Sequence, residues 1–132
     1  MTPQSDKPFG LKIQAYDHLE EVGLIELSGY LDAQTVIDFN EQTMGPKRPG
    51  YRFYIIDLRN LEYISSAGIA SLVKIRQENQ NRDGDVIFLR PEEKVYKALD
   101  LVGLSEIFRF AQTPPEAYDM LVQSYPESLP PA

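Results

Sequence analysis

Side chains suited to chemistry are few, and the most suggestive group is Tyr63-Ile64-Ser65-Ser66-Ala67-Gly68-Ile69. Two adjacent serines stand there between a strongly apolar run and a pattern of helical spacing. The first backbone N–H groups of a helix lack internal partners, so a hydroxyl at that boundary is a natural cap. The same place favours an anion, which makes it a place where a phosphate can be written. On local physics the cap is the commoner role. Nucleophilic catalysis would need a base within hydrogen-bond reach and a carboxylate to orient it. The one histidine, His18, lies in a polar turn, Asp17 to Glu21, with nothing to draw it toward Ser66. A Gly-x-Ser-x-Gly elbow is missing too, since Ile64 stands two residues before Ser66. An enzyme is therefore not expected. No His/Cys/carboxylate group shows ligand spacing and no glycine loop is patterned to cradle phosphate, so neither metal nor cofactor is expected. Asp57, at an expected strand end, has the position to orient the next loop, although a solvated carboxylate is the commoner case. Asp32 reads as a helix N-cap.

The whole chain narrows the classes further. Its 132 residues suit one domain with a single core. Thirteen basic against twenty acidic side chains leave a net charge of −7, which argues against a partner bound through its phosphate backbone. Cysteine is absent, so disulfide frameworks are excluded. No apolar run approaches membrane-spanning length, and the first residues lack the basic-then-apolar start of a signal peptide. A cytoplasmic protein without nucleic-acid or membrane partners is the simplest expectation.

The elements that must position the serines follow from periodicity. Residues 1–10 read as a loose tail. Leu11, Ile13 and Ala15 alternate with polar residues as a half-buried strand, and a second strand is expected from Val22 to Ser28, paired antiparallel with it. A helix opens near Asp32 with Val36, Phe39 and Met44 inward, and Gly45-Pro46-Lys47-Arg48-Pro49-Gly50 ends it. Phe53 to Leu58 is a continuous apolar run, the signature of a strand buried on both faces of a parallel sheet. The next helix is expected from about Ser66 to Asn81, with Ile69, Leu72, Val73 and Arg76 at three- and four-residue steps. Asp83-Gly84 stops it, and Val86 to Leu89 is a short strand. Pro91 starts a third helix with Val95, Leu99 and Val102 on one buried face, ended by Gly103. Ile107 to Phe110 is the last strand. Thr113-Pro114-Pro115-Glu116 has the form of a capping box that launches a last helix through Ala117, Leu121 and Val122. The segment 125–132 carries three prolines and is expected to be disordered. Strands alternating with helices mean an α/β domain with a mostly parallel sheet.

Two stretches together resemble the paired signatures of the STAS domain: Gly29-x-Leu31-Asp32-x-x-Thr35 and Tyr63-Ile64-Ser65-Ser66-Ala67-Gly68. More narrowly they are similar to the bacterial anti-sigma factor antagonists. Leu99-Asp100-Leu101-Val102-Gly103-Leu104 followed by Phe108, and Ile55-Ile56-Asp57-Leu58, support the match, which runs from about Leu11 to Val122. The resemblance implies a single non-enzymatic domain at 11–124, a β–α superhelix with a mixed, mostly parallel sheet of four to five strands and about four helices. It implies a GHKL-type anti-sigma factor that doubles as a serine kinase as partner, and a metal-dependent serine phosphatase that reverses its action. The phosphoacceptor falls on Ser66, with Ala67 and Gly68 in the next two places. The position before the acceptor, usually acidic, holds Ser65. Gly29, Asp32, Thr35, Ser65, Ser66, Ala67 and Gly68 are the implied partner surface, on a monomer or weak dimer. A constitutively bound STAS subunit of a sensory or transport assembly is the alternative, favoured by Ser65 in the acidic place.

Overall fold

The computed structural model describes residues 8–131. Nine elements follow in order: β1 (Phe9–Ala15), β2 (Val22–Leu31), α1 (Thr35–Met44), β3 (Phe53–Ile64), α2 (Ser66–Gln80), β4 (Asp85–Leu89), α3 (Glu93–Leu101), β5 (Phe110–Ala111) and α4 (Pro114–Ser124). The strands form one five-stranded sheet in the order β1-β2-β3-β4-β5. β1 and β2 are antiparallel, and every other neighbouring pair is parallel. This is the α/β class and the mixed sheet that the alternation of elements implied.

Successive side chains along β3 point to opposite faces of the sheet and so join two separate apolar layers. Tyr54, Ile56 and Leu58 join Phe39 of α1, Leu72 and Ile75 of α2, and Val95 and Leu99 of α3 on one face. Phe53 and Ile55 join Ala117, Tyr118 and Leu121 of α4 on the other. Both layers are essentially dry: each of these side chains is at most 4% exposed. Burying one such side chain stabilises by roughly 1.5–3 kcal/mol, so the two layers carry most of the fold.

Several elements differ from their expected bounds. β1 begins at Phe9, inside the expected N-terminal tail, whose residues 1–7 lie outside the described ones. β2 and β3 run on to Leu31 and Ile64, because polar residues on their outer positions interrupt the apolar pattern without interrupting the ladder. β3 also carries two irregularities: Glu26 pairs with Asp57 but Ser28 with Asn60, and Gly29 with Leu61 but Tyr30 with Tyr63. Each adds a residue to β3, a bulge that bends a strand without ending it. Asp57 accordingly lies at the first bulge, not at a strand end. It is 5% exposed and accepts bonds from the Arg59 backbone N–H (3.0 Å) and Nη2 (2.8 Å).

The buried stripe of α2 is Gly68, Ser71, Leu72, Ile75 and Asn79; Ile69, Val73 and Arg76 flank it. α3 starts at Glu93, because Glu92 rather than Pro91 caps it by accepting from Lys94 N–H at 3.1 Å. Its end is a Schellman turn: Leu104 N–H bonds the Leu99 carbonyl, Gly103 N–H bonds that of Asp100, and Gly103 is left-handed at φ 81°. The chain leaves the helix there, so Val102 is 59% exposed and not on the buried face. Ile107, expected in the last strand, is 52% exposed in the turn before it, while Phe108 stacks on Phe88 at 4.4 Å. Of the expected capping box at α4 the first half forms, with Thr113 Oγ1 accepting from Glu116 N–H at 3.2 Å, whereas Glu116 accepts at 2.8 Å from the N–H of Gln112, one residue before the cap. The C-terminal segment is docked. Leu129 is 3% exposed within the α4 layer, and the Tyr118 hydroxyl donates to the Pro130 carbonyl.

Candidate functional site

Parallel pairing of β2 and β3 brings their C-terminal ends together, with Tyr30 beside Tyr63 and Leu31 beside Ile64. The loops that follow therefore share one rim of the sheet, where open α/β folds commonly place their sites. They are joined directly, since Ser65 N–H donates to the Leu31 carbonyl at 3.0 Å. The Tyr30 and Tyr63 rings lie 5.4 Å apart beneath them.

The first loop is braced from within. Asp32 Oδ1 accepts from the backbone N–H groups of Gln34 (3.0 Å) and Thr35 (3.1 Å), and the Asp32 carbonyl takes Val36 N–H at 2.9 Å. The regular helix starts at Thr35, but Asp32 does the capping, as its residue type implies. Thr35 Oγ1 donates to the Tyr30 carbonyl and accepts from Asp32 N–H, both at 2.8 Å. Thr35 thus holds the loop's shape rather than offering its hydroxyl outward.

The second loop divides its two serines. Ser65 is extended (φ −93°, ψ 176°), half-buried, and its Oγ accepts from Gly68 N–H at 3.3 Å, which makes it the N-cap of α2. Ser66 is the first helical residue and is exposed. Its hydroxyl makes no hydrogen bond among the described residues. Ala67 is half-buried beside it.

The two glycines expected on the partner surface are buried, because each lies under a neighbouring backbone. At Gly29, with φ 78°, an added Cβ would lie 1.9 Å from the Pro8 carbonyl oxygen. At Gly68 it would lie 2.6 Å from the Leu31 carbonyl oxygen and 2.7 Å from Ile64 Cγ1. Both shape the rim from beneath. The rim therefore gathers Asp32, Thr35, Ser65, Ser66 and Ala67, with the glycines setting how closely the loops approach.

His18 lies at the other end of β2, in a turn with φ 60°. Ten residues of strand separate it from the rim, about 30 Å at roughly 3.3 Å per residue. Among the described residues no group of three or more His, Cys, Asp or Glu is placed to hold a metal, and no helix is long and apolar enough to cross a membrane.

Residues that sequence patterning missed lie beside Ser66. A cleft of about 310 Å³ is lined by Ser66, Ile69, Ala70, Val102 and Leu104. Only the exposure of Val102 at the end of α3 reveals it, and the apolar type of that residue suggests the opposite.

The family model for the STAS domain matches residues 14–117. The chain belongs to the STAS domain family. Among solved structures it resembles the anti-sigma factor antagonist SpoIIAA in its unphosphorylated form, with a TM-score of 0.72 at 22% identity, over 86% of this chain and 97% of that one. The phosphorylated form of the Bacillus cell fate determinant SpoIIAA matches with a TM-score of 0.60 at 22% identity, over 84% and 98%. An anti-sigma factor antagonist from Mycobacterium paratuberculosis gives 0.73 at 18% identity, over 86% and 94%. SLC26A9 also contains the fold, with a TM-score of 0.58 at 12% identity, over 80% of this chain and 20% of that one. At these identities the likeness is one of fold.

Proposed function

We propose that this protein is a phosphorylation-switched anti-sigma factor antagonist. Unphosphorylated, it binds a GHKL-type anti-sigma factor that is also a serine kinase, and so releases a sigma factor. The kinase ends binding by modifying Ser66, and a metal-dependent serine phosphatase restores it. The protein acts in the cytoplasm as a binding module, not as an enzyme. The observation that carries this reading is the division of the serines: Ser65 is occupied as the cap, while Ser66 is exposed on the rim beside the Asp32 loop. The likeness of fold to antagonists, one of them in both phosphorylation states, supports it.

The physics of the switch is local. A phosphoserine carries about −1.5 to −2 charges near neutral pH. In the free domain that charge sits in solvent at a helix N-terminus, where the dipole favours it by up to about 1 kcal/mol at an exposed site. Nothing forces α2 to melt. In the complex the same dianion must be desolvated against a surface shaped for a hydroxyl, and like-charge contacts there cost several kcal/mol. Each 1.4 kcal/mol is roughly tenfold in affinity.

The test is mass spectrometry of the protein from its native cells, followed by amide NMR of the modified form. A single phosphate on Ser66, with shifts confined to residues 64–70 and 30–35, is the expected result. A phosphate on Ser65 instead, or shifts spread through the sheet, overturns the reading. A second reading is a constitutively bound scaffold subunit, favoured by Ser65 in the place that is usually acidic and by the occurrence of the fold in SLC26A9. A chain unmodified under every growth condition would favour it.

A further inference from the structure

The cleft beside Ser66 has features that a phosphorylation site alone does not need. Its walls are Ile69 and Ala70 from α2, and Val102 and Leu104 from the turn that closes α3. Val102 is 59% exposed, and Leu101 and Ile107 of the same chain segment are 86% and 52% exposed. Three of the six large exposed apolar side chains of the described residues thus fall in the segment 101–107. Solvent alone gives no reason for that, and grouped exposed apolar side chains mark interaction sites. The Schellman turn accounts for the arrangement. Left-handed Gly103 folds Leu104 back into the cleft and leaves Leu101 and Val102 pointing outward. At about 310 Å³ the cleft is at the small end of the ligand-pocket range of roughly 300–1,000 Å³. It has room for one anchoring side chain and little more.

Two carboxylates accompany the apolar residues of this segment, while Lys97 of α3 is already paired with Glu93 at 2.9 Å. Asp100 precedes Leu101 and Glu106 precedes Ile107, and both are exposed. The Ser105 hydroxyl donates to Asp100, which holds the segment carrying Glu106 against the helix end. On the α2 side Arg76 lies over the Phe108 ring at 6.0 Å, and Lys74 is about two turns down from Ser66. We infer that the cleft receives one bulky aliphatic or aromatic side chain of a protein partner, carried on a segment whose flanking basic residue meets Asp100 and Glu106. Large anchors in small desolvated pockets are the usual centres of binding energy. This rests on the proposed function in taking the partner to be the one that reads Ser66, and it adds the chemistry that partner must present. A phosphate on Ser66 would then stand at the mouth of an apolar cleft and obstruct the anchor directly.

Two nonapeptides test this on the full, unmodified chain by amide NMR titration. Both have a Gly/Ser frame with arginine on either side of the centre; one carries a central leucine and the other a central alanine. The leucine peptide is expected to shift amides of residues 66–70 and 101–107, to bind at least tenfold more tightly than the alanine peptide, and to weaken with added salt. Val102→Asp should abolish the shifts, with Leu101→Ser as a milder variant if Val102→Asp lowers Tm. Asp100→Asn combined with Glu106→Gln should remove the salt dependence. Equal binding of the two peptides, shifts elsewhere, no shifts at millimolar peptide, or titrations unaltered in both apolar variants would overturn the inference. So would concentration-dependent self-association through residues 101–107, which would make a second copy the occupant. The outcomes separate from those for Ser66. An unphosphorylated Ser66 in cells removes the switch and leaves the peptide result standing, whereas peptide failure with Ser66 phosphorylated removes only the anchor.

Discussion

Replacing Ser65 and Ser66 one at a time separates a structural hydroxyl from an exposed one. Ser65→Ala removes the acceptor for Gly68 N–H, and lost N-caps cost about 0.5–2 kcal/mol. The 3.3 Å bond is long, so a loss of about 0.5–1 kcal/mol is expected. Ser66→Ala removes an exposed hydroxyl and should stay within about 0.5 kcal/mol of wild type. Urea unfolding of both variants measures this directly, and equal losses would contradict the division of roles. Tyr54 supplies a second residue-scale prediction. It is 1% exposed, its hydroxyl has no hydrogen-bond partner among the described residues, and burial pushes its pKa up to about 12. The folded state therefore keeps the proton above the pH at which the unfolded chain releases it. Its contribution is intact below pH 10, near the ordinary tyrosine value, and is lost as pH rises from there toward 12. Tyr54→Phe should flatten the alkaline fall in stability between pH 10 and 12, and should not destabilise the protein at pH 7. An unchanged alkaline midpoint would show that Tyr54 is not the group responsible.

Glycine contributes at the scale of elements in two ways that alanine substitution distinguishes. Gly103 lies in open space, so Gly103→Ala meets only the cost of a left-handed backbone, roughly 1–2 kcal/mol. Gly68→Ala has an ordinary φ but drives a methyl into the Leu31 carbonyl and Ile64, both on the paired strand ends. Overpacking of this sort typically costs about 1–3 kcal/mol, and here it should also shift amides across both rim loops. Matching thermal losses with shifts limited to α2 would contradict that. Periodicity placed all nine elements but not all their limits. Arg59, Asn60 and Glu62 are exposed on the outer half of β3, and two bulges break its alternation, so the apolar run appeared to stop at Leu58. α2 was displaced by one position on its wheel for a related reason. Gly68, Ser71 and Asn79 fill much of its buried face, and small or polar residues give no hydrophobic signal. Of the rim, the capping of Asp32 and the helix start at Ser66 were legible from residue type. Which serine would cap was not, because that depends on one residue of backbone phase. The apolar cleft was hidden as well, since an exposed valine and a buried one look alike in sequence.

The whole molecule is closed by its C-terminal segment. Prolines at 126, 130 and 131 give it the composition of a loose tail, yet buried Leu129 and the Tyr118–Pro130 hydrogen bond dock it. Buried leucine-to-alanine changes cost about 2–5 kcal/mol, the lower part where the site can relax around the loss. Leu129→Ala is expected to lose about 2 kcal/mol and to speed amide exchange in α4, measured by hydrogen exchange. No loss, with α4 protection intact, would mean that the segment contributes nothing to the layer beneath it.

Docking of that segment also settles how the domain is best observed. Ser128, Leu129 and Pro130 lie beside His18 to Glu21, at the end of the strands opposite the rim. Pro8, by contrast, bonds Tyr30 N–H through its carbonyl, directly under the loops. The protein has no cysteine, so a Glu127→Cys substitution would create a unique thiol for a fluorophore or a sensor surface. Immobilised there, the domain would turn its rim toward solution, and partner capture could be followed in real time without the attachment competing for the surface. Tethered through Pro8, it would hold that surface against the support.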